Sequence, residues 1–224
     1  MDNVKLHKLW RFPRSDLDIS CIALAGGKST RLGRNKLAER IGEKSLLERV
    51  IDILACLKGE IILVTAKDSD LPQLGDYPDV KIVKDIFPGK GSIGGIYTGL
   101  VTSNSFYNLV IACDMPFLNP DLLKYMITVS KGFDVVVPRI KGEIYEPLHA
   151  VYSKNCIDPL ERLIKNNVFR IIELYPLIKV KYLDDSEIGR FDPQKLSFFN
   201  INTENELREG REIAGREGIH RDKC

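Results

Sequence analysis

The sequence predicts a single α/β domain in which a mainly parallel β-sheet is covered by helices on both faces. Short apolar segments alternate with helical ones along most of the chain, the order that builds βαβ units. The apolar segments resemble strands that are buried on both faces. At 224 residues the chain can bury one substantial core, and it contains no repeat, low-complexity tract or linker. We therefore expect an N-terminal extension over residues 1–18 and one domain over residues 19–218.

The first half of the chain predicts three strands and two helices. An apolar run at 19–24 ends at Gly26 and predicts the first strand. Apolar side chains recur on one helical face between residues 45 and 57, which predicts a helix there. Two further β-branched runs predict strands, and a short helix is expected after them. These three elements lie at 60–65, 80–83 and 94–101.

The second half continues the alternation less regularly. A strand at 109–113 precedes a helix at 119–130, which Asn119 and Pro120 would open. The remaining expectations are a strand at 133–137, a hairpin through 148–152, a helix at 155–165, a strand near Val180, a strand at 197–201 and a helix from Thr203. Thr203 and Glu206 have the spacing of a capping box at the start of that last helix.

Charge and hydropathy exclude several classes of protein. Lys and Arg number 33 against 31 Asp and Glu, a net charge of +2, so no nucleic-acid or membrane surface is predicted. Apolar runs such as 109–113 are too short to cross a bilayer. The N-terminus lacks the apolar core of a secretory signal. The sequence thus predicts a cytoplasmic protein.

A glycine-rich, basic segment follows the first predicted strand. Glycines allow a backbone to approach phosphate oxygens closely, and basic side chains offset phosphate charge. The segment spans residues 24–36 and contains Gly26, Gly27, Lys28, Arg31, Gly33, Arg34 and Lys36. It is not a P-loop, because Ile22 occupies the position of that motif's first glycine. The pattern predicts a nucleoside triphosphate site, and the alternative is an ordinary βα turn with solvated basic residues.

A GxGxxG pattern at Gly89–Gly94 suggests a different class of protein. Asp114 follows twenty residues later, near where a dinucleotide site places an acid for the ribose. The alternative function is therefore an NAD-binding oxidoreductase or a non-enzymatic nucleotide-binding module. The glycines do not emerge directly from a strand, however, since residues 85–88 intervene.

Asp114 lies at the carboxyl end of a predicted strand, where parallel sheets bind ligands. Met115 and Pro116 turn the chain immediately afterwards, and the pre-proline position restricts Met115 to extended geometry. A carboxylate held there can coordinate Mg²⁺, which prefers carboxylate and phosphate oxygens. The alternative is an aspartate that caps the following turn.

Together these segments resemble the molybdenum cofactor guanylyltransferase family, within the nucleotidyltransferases of the glycosyltransferase-A-like fold. The resemblance rests on four blocks that occur in family order: Leu24–Lys36 (LAGGKSTRLGRNK), Asp85 with Gly91–Ile96, Cys113–Phe117 (CDMPF) and Asn200–Thr203 (NINT). Leu32, Asn35 and Ser92 depart from the family's Met, Asp and Pro. The resemblance implies a three-layer α/β/α, Rossmann-like nucleotidyltransferase fold.

The resemblance also implies an activity: transfer of GMP from GTP to the phosphate of molybdopterin, with release of pyrophosphate and with Mg²⁺ as cofactor. Residues that match the family's motifs would then carry the following roles. Leu24, Ala25, Gly26, Gly27 and Asp85 would bind the nucleotide, Arg31 and Lys36 would neutralise the triphosphate, and Asp114 would hold the metal. A transient cofactor-delivery protein is a further partner that this activity implies.

Asn200 and Asn202 are candidates for the acceptor side. Amides that flank one residue of a strand point to the same face, so both could reach one ligand. The alternative is that they cap the last helix. Residues 146–149 resemble the family's acceptor-side segment, and His149 is otherwise a lone histidine. The nearest alternative activities are those of a cytidylyltransferase for molybdopterin or a sugar-phosphate nucleotidyltransferase of the same fold.

Overall fold

The computed structural model describes residues 18–26, 35–66, 74 and 77–217. The predicted N-terminal extension therefore lies outside the described residues, apart from Asp18. Residues 27–34 of the glycine-rich segment lie outside them as well. The limits that we expect for the domain, residues 19–218, stay a prediction.

The described chain alternates strands and helices. The strands are β1 (Ile19–Leu24), β2 (Arg40–Ile41), β3 (Lys44–Ser45), β4 (Glu60–Thr65), β5 (Val80–Lys84), β6 (Tyr107–Ala112), β7 (Val135–Ile140), β8 (Ile144–Tyr145), β9 (His149–Ser153) and β10 (Val180–Leu183). The α-helices are α1 (Leu46–Ala55), α2 (Ser92–Thr102), α3 (Pro120–Thr128), α4 (Ile157–Lys165), α5 (Asp185–Gly189) and α6 (Glu204–Glu217). Short 3-10 helices occupy Lys36–Ala38, Lys154–Cys156, Ile171–Leu177 and Leu196–Phe198.

The main sheet has the strand order β10–β7–β9–β6–β1–β4–β5, and β8 pairs with β7. β1 pairs in parallel with β4 and β6, β4 with β5, and β7 with β10. β9 is the antiparallel exception, inserted between β6 and β7. The prediction of a mainly parallel sheet is confirmed. The hairpin expected near residues 148–152 corresponds to β9, a buried strand that pairs antiparallel both with the preceding long strand β7 and with β6.

Apolar side chains fill the space on both faces of this sheet. One core contains residues of α1 and α3, such as Val50 and Leu122. The other contains residues of α2 and α4, such as Ile96 and Leu160, together with Leu174 of a 3-10 helix. Helices therefore cover both faces, and the three-layer α/β/α architecture is confirmed.

The backbone of helix α2 packs directly against side chains of β1. A methyl group on Gly99 would overlap the side chain of Ile22, and one on Gly95 would lie 3.2 Å from Cδ2 of Leu24. Two glycines one helical turn apart thus let the helix backbone approach the strand that leads into the glycine-rich segment. This contact fixes the start of α2 relative to the end of β1.

Side-chain caps start several helices, and those at α3 and α6 are the ones that the sequence predicts. Ser45 and Glu48 form a capping box at α1, and the Asn119 carboxamide accepts from two backbone N–H groups at α3. At α6 the Glu206 carboxylate accepts from the N–H of Thr203 at 2.8 Å, and Thr203 Oγ1 accepts from the N–H of Glu206 at 3.3 Å. The predicted capping box is confirmed. Throughout the described ranges, no helix has the length and apolarity needed to span a membrane.

The expectation of a strand at residues 197–201 is wrong. Residues 196–198 form a 3-10 helix, which the Asp192 carboxylate holds by accepting from the N–H groups of Leu196 and Ser197 at 3.3 and 2.8 Å. The apolar side chain of Ile201 fills a small third core instead of a sheet face. The Asp192 carboxylate therefore overrides the local strand propensity. It accepts hydrogen bonds from backbone N–H groups that, in a strand, would pair with a neighbouring strand.

Candidate active site

The carboxyl ends of β1, β4 and β6 meet at one edge of the sheet. The N–H of Ala25 donates to the carbonyl of Val64 at 2.8 Å, and the N–H of Cys113 donates to the carbonyl of Leu24 at 3.1 Å. Leu24 and Ala25 are buried, whereas Gly26 is exposed. Of the other loop candidates, Gly27 and Arg31 lie outside the described residues. The loop after β1 therefore begins directly beside the position of Asp114.

Three predicted residues converge at this edge. The ammonium group of Lys36 lies 2.7 Å from Oδ2 of Asp114 and donates to Oδ1 of Asn202 at 3.0 Å. The Lys36 and Asp114 side chains are 15% and 17% exposed, so the ion pair is largely shielded yet open to a ligand. Residues 36, 114 and 202, which are distant in sequence, therefore form one polar cluster, which we call the Lys–Asp–Asn cluster.

Local structure fixes Lys36 at this position. It is the first residue of the 3-10 helix Lys36–Ala38, and the carboxamide of Asn35 caps that helix by accepting from the N–H of Leu37 at 3.1 Å. Leu37 is buried in the core beneath. Asn35, which departs from the family's Asp, thus keeps an oxygen in the capping position. The cap and the buried leucine together direct the lysine stem towards Asp114.

Asp114 combines a fixed backbone with one carboxylate oxygen that has no hydrogen-bond partner among the described residues. Its carbonyl accepts from the N–H of Ile201 at 2.9 Å, which ties the C-terminal segment to the end of β6. Its Oδ1 atom is buried and has no hydrogen-bond partner within the described part of the chain. In those same ranges no group of three or more His, Cys, Asp and Glu side chains could hold a metal ion. Any cation bound here would rely on this carboxylate together with ligand oxygens.

The two asparagines differ in their partners. Asn202 reaches Lys36, and its N–H donates to the Glu206 carboxylate at 2.7 Å. Asn200 donates through its carboxamide to the carbonyl of Phe198 at 3.3 Å. The expectation that a strand would place both amides on one face is wrong, because residues 199–203 are not a strand.

Asp85 lies at the start of the turn that leads to α2. Its Oδ1 accepts from the N–H of Phe87 at 2.9 Å and from the hydroxyl of Thr98 at 3.0 Å. Gly91 precedes α2 with φ +71°, a conformation that favours glycine. The GxGxxG pattern thus forms a turn that Asp85 ties to the helix.

Sequence patterns did not reveal that Glu146 lies near Asp114. Burial raises the pKa of the Glu146 carboxyl group, and the negative charge of Asp114 raises it further by a smaller amount. The segment that carries Glu146 reaches this edge because the carbonyl of Leu148 accepts from the N–H of Ala112 at 2.9 Å. Only the antiparallel insertion of β9 beside β6 produces this proximity, and no local pattern encodes it.

His149 is fully buried beneath the same edge. Its ring lies 4.8 Å from that of Phe198, and neither ring nitrogen has a hydrogen-bond partner among the described residues. Burial lowers the pKa of the imidazole from its ordinary 6.5 to about 3. His149 is therefore neutral in the folded protein. This state is typical of a structural histidine and not of a catalytic one.

Replacing His149 with leucine is expected to weaken the pH dependence of stability. Since the folded pKa lies below the unfolded one, the unfolded chain binds the extra proton between pH 6.5 and pH 3. The contribution of His149 to the free energy of unfolding is thus fully present above pH 6.5. It decreases towards pH 3 by up to about 1.4 kcal/mol per pH unit. Urea unfolding at several pH values would measure the slope. Equal slopes for both proteins would contradict the prediction.

The fold is that of a nucleotidyltransferase, and the Lys–Asp–Asn cluster lies at the carboxyl edge of its sheet. The model of the MobA-like NTP transferase domain matches residues 21–177 of the chain. The chain belongs to this family. Membership contradicts the alternative of an NAD-binding oxidoreductase based on residues 89–94.

Known relatives resemble the chain over most of its length. A probable molybdenum cofactor guanylyltransferase of Pelotomaculum thermopropionicum is 34% identical over 198 residues, which cover 88% of this chain and 94% of the relative. The molybdenum cofactor guanylyltransferase of Desulfosudis oleivorans is 34% identical, over 84% and 92% of the two chains. The crystal structure of molybdopterin-guanine dinucleotide biosynthesis protein A from Archaeoglobus fulgidus superposes with a TM-score of 0.76 at 28% identity, covering 88% of this chain and 99% of that one.

Proposed function

We propose that this protein transfers GMP from GTP to the terminal phosphate of molybdopterin that carries molybdenum, forming the guanine dinucleotide cofactor and releasing pyrophosphate. The relatives that cover most of the chain are molybdenum cofactor guanylyltransferases by name. The observation that carries the proposal is the Lys–Asp–Asn cluster. It places one cation and two oxygen ligands at the sheet edge that receives the glycine-rich segment.

The proposed reaction is an in-line displacement at the α-phosphorus of GTP. An oxygen of the acceptor phosphate forms the new bond, and the bond from the α-phosphorus to the bridging oxygen breaks as pyrophosphate leaves. The attacking phosphate is already anionic at neutral pH, so no general base is required. The protein contributes position and charge neutralisation. In this scheme Lys36, and Arg31 from the loop, offset the charge of the triphosphate and of the departing pyrophosphate.

The residues present fit a magnesium ion. Asp114 offers Oδ1, a buried carboxylate oxygen without a partner among the described residues, and Asn202 offers an amide oxygen. Oxygen donors of these types suit Mg²⁺, which keeps its remaining positions for phosphate oxygens and water. When bound, the ion would supply positive charge to the phosphate oxygens. In the described structure the Lys36 ammonium group contacts Asp114 and Asn202. The lysine and the ion would therefore both lie next to the Asp114 carboxylate.

The nucleotide would lie across the end of β1. Leu24, Ala25, Gly26 and Gly27 would contact it through the segment that leaves the strand, as the family resemblance implies. Asp85 would act at least partly by positioning, since its carboxylate holds the turn before α2. In this proposal the protein acts in the cytoplasm, uses Mg²⁺ as its cofactor and hands its product to a transient cofactor-delivery protein.

A thermal-shift panel of GTP, CTP, UTP, ATP and NAD, each with and without Mg²⁺, tests the nucleotide half of the proposal. A ligand at a hundred times its Kd stabilises the native state by about 2.7 kcal/mol, which raises the Tm of a chain of this size by roughly 5–10 °C. We expect this shift for GTP with Mg²⁺ and for no other combination. Preference for CTP would instead favour the cytidylyltransferase alternative, and stabilisation by NAD alone would contradict the proposal. Pyrophosphate release that requires both GTP and molybdopterin would test the reaction itself.

A further inference from the structure

An arginine and three tyrosines form a partly exposed aromatic group outside the Lys–Asp–Asn cluster. The Tyr145 and Tyr182 rings lie 5.3 Å apart, and each contacts the largely buried ring of Tyr175, at 5.7 and 6.1 Å respectively. The guanidinium carbon of Arg139 lies 5.7 Å from the centroid of the Tyr182 ring. We call these four residues the Arg–Tyr cluster.

The Arg–Tyr cluster faces solvent with unused binding capacity. Tyr182 is 37% exposed on β10, the last strand of the sheet on this side. Arg139 is half-buried, and its charge interacts with that of Asp184, but within the described ranges its guanidinium makes no hydrogen bond and no close ion pair. A stacked guanidinium keeps all its N–H donors available for an anion. Core packing alone explains Tyr175, but it does not explain why an arginine that makes no hydrogen bond within the described ranges lies beside an exposed ring.

Sheet topology connects this cluster to the proposed reaction site. β9 is antiparallel to both β6 and β7, so β7 and its parallel neighbour β10 run in the same direction as β6. Their carboxyl ends, which carry Arg139 and Tyr182, thus lie along the edge that carries Asp114. Three inter-strand steps of about 4.8 Å separate β10 from β6, about 14 Å in all. Glu146, which follows Tyr145 in sequence, is close enough to Asp114 for the two charges to interact.

We propose that the Arg–Tyr cluster is the acceptor subsite, where the flat pyrimidinone ring of a phosphate-bearing pterin stacks on Tyr182 and accepts hydrogen bonds from Arg139. This inference rests on the proposed function, because it assigns the ring end of the same acceptor. The separation of about 14 Å between β10 and β6 suits fused rings joined to a terminal phosphate by a short arm. Aromatic rings bind flat conjugated ligands by stacking, and a guanidinium adds charge complementarity.

Direct binding of 6-carboxypterin tests the subsite without any nucleotide. Its fluorescence would be titrated with the full-length protein and with the Tyr182→Ala, Tyr182→Phe and Arg139→Ala variants. We expect about tenfold weaker binding for both alanine variants and near-unchanged binding for Tyr182→Phe, which keeps the ring. Phe106→Ala is the matched control, because Phe106 is also an exposed aromatic residue but precedes β6, at the opposite edge of the sheet.

Steady-state kinetics separate this inference from the proposed function. The Tyr182→Ala and Arg139→Ala variants should raise the KM for molybdopterin about tenfold and leave the KM for GTP unchanged. Equal 6-carboxypterin binding and equal acceptor KM in all folded variants would overturn the subsite. A dimer that is lost in Tyr182→Ala while pterin binding persists would also overturn it and assign the surface to a second copy. Pterin binding that depends on the cluster, in a protein that does not transfer GMP, would preserve the subsite and contradict the proposed function.

Discussion

Replacing Lys36 with alanine is expected to slow pyrophosphate release by about a hundred- to a thousandfold, the usual cost of removing one preorganised charge donor from an active site. The ammonium group lies 2.7 Å from Asp114 and 3.0 Å from Asn202, at the edge where the triphosphate is proposed to bind. Charge moves from the α-phosphate to pyrophosphate during transfer. A positive group held there stabilises the transition state more than the bound substrate.

The measurement is pyrophosphate release at saturating GTP and acceptor, together with the Tm of each protein. Lys124→Ala is the control, because the Lys124 side chain is 40% exposed and its carboxylate partner Asp121 is 61% exposed. We expect kcat to fall for Lys36→Ala and to stay unchanged for Lys124→Ala. A folded Lys36→Ala protein that keeps its activity within about threefold of the original would show that Lys36 has no role in transfer. Such a loss is well below the one expected on removal of a charge donor.

Replacing Asp114 with asparagine is expected to reduce turnover by about a thousandfold, which corresponds to about 4 kcal/mol of transition-state stabilisation. The substitution keeps the shape of the side chain and the backbone contact from Ile201, but it removes the negative charge. Without that charge, the proposed site for Mg²⁺ keeps only amide oxygens. The ion then binds weakly, and Lys36 loses its ion-pair partner.

Titration of activity against Mg²⁺ concentration would measure this effect. The half-saturating Mg²⁺ concentration should rise steeply in Asp114→Asn, and the stabilisation by GTP with Mg²⁺ should shrink towards that with GTP alone. Asp121→Asn, which alters an exposed aspartate on α3, should change neither quantity. An Asp114→Asn protein with an unaltered magnesium dependence would show that the metal, if one is used, binds elsewhere.

Much of the fold follows from local pattern. β1, β4 and β5 occur at the predicted positions because their apolar runs end at glycine or polar residues. Helices α1 and α3 begin where Ser45 and Asn119 provide caps. Such signals are local, since they depend on propensity and on hydrogen bonds between residues close in sequence.

Features that depend on long-range contacts could not be predicted in this way. The antiparallel position of β9 depends on pairing with both β6 and β7, and the turn at 196–198 depends on the carboxylate of Asp192. Lys36 and Asp114 were predicted individually from motifs. Their contact with each other, and with Asn202, depends on the closure of the whole domain.

The Lys–Asp–Asn cluster has a consequence for biosynthesis. Its members come from the first quarter, the middle and the last tenth of the chain, and the tether from Ile201 to Asp114 positions the third of them. Contacts of such long sequence separation form late, because large loops must close first. During translation the N-terminal strands can pair early, but the ribosome must synthesise and release residues beyond Asn202 before the cluster is complete. A nascent chain should thus acquire folded structure well before it acquires activity, so that an interrupted chain yields an inert product.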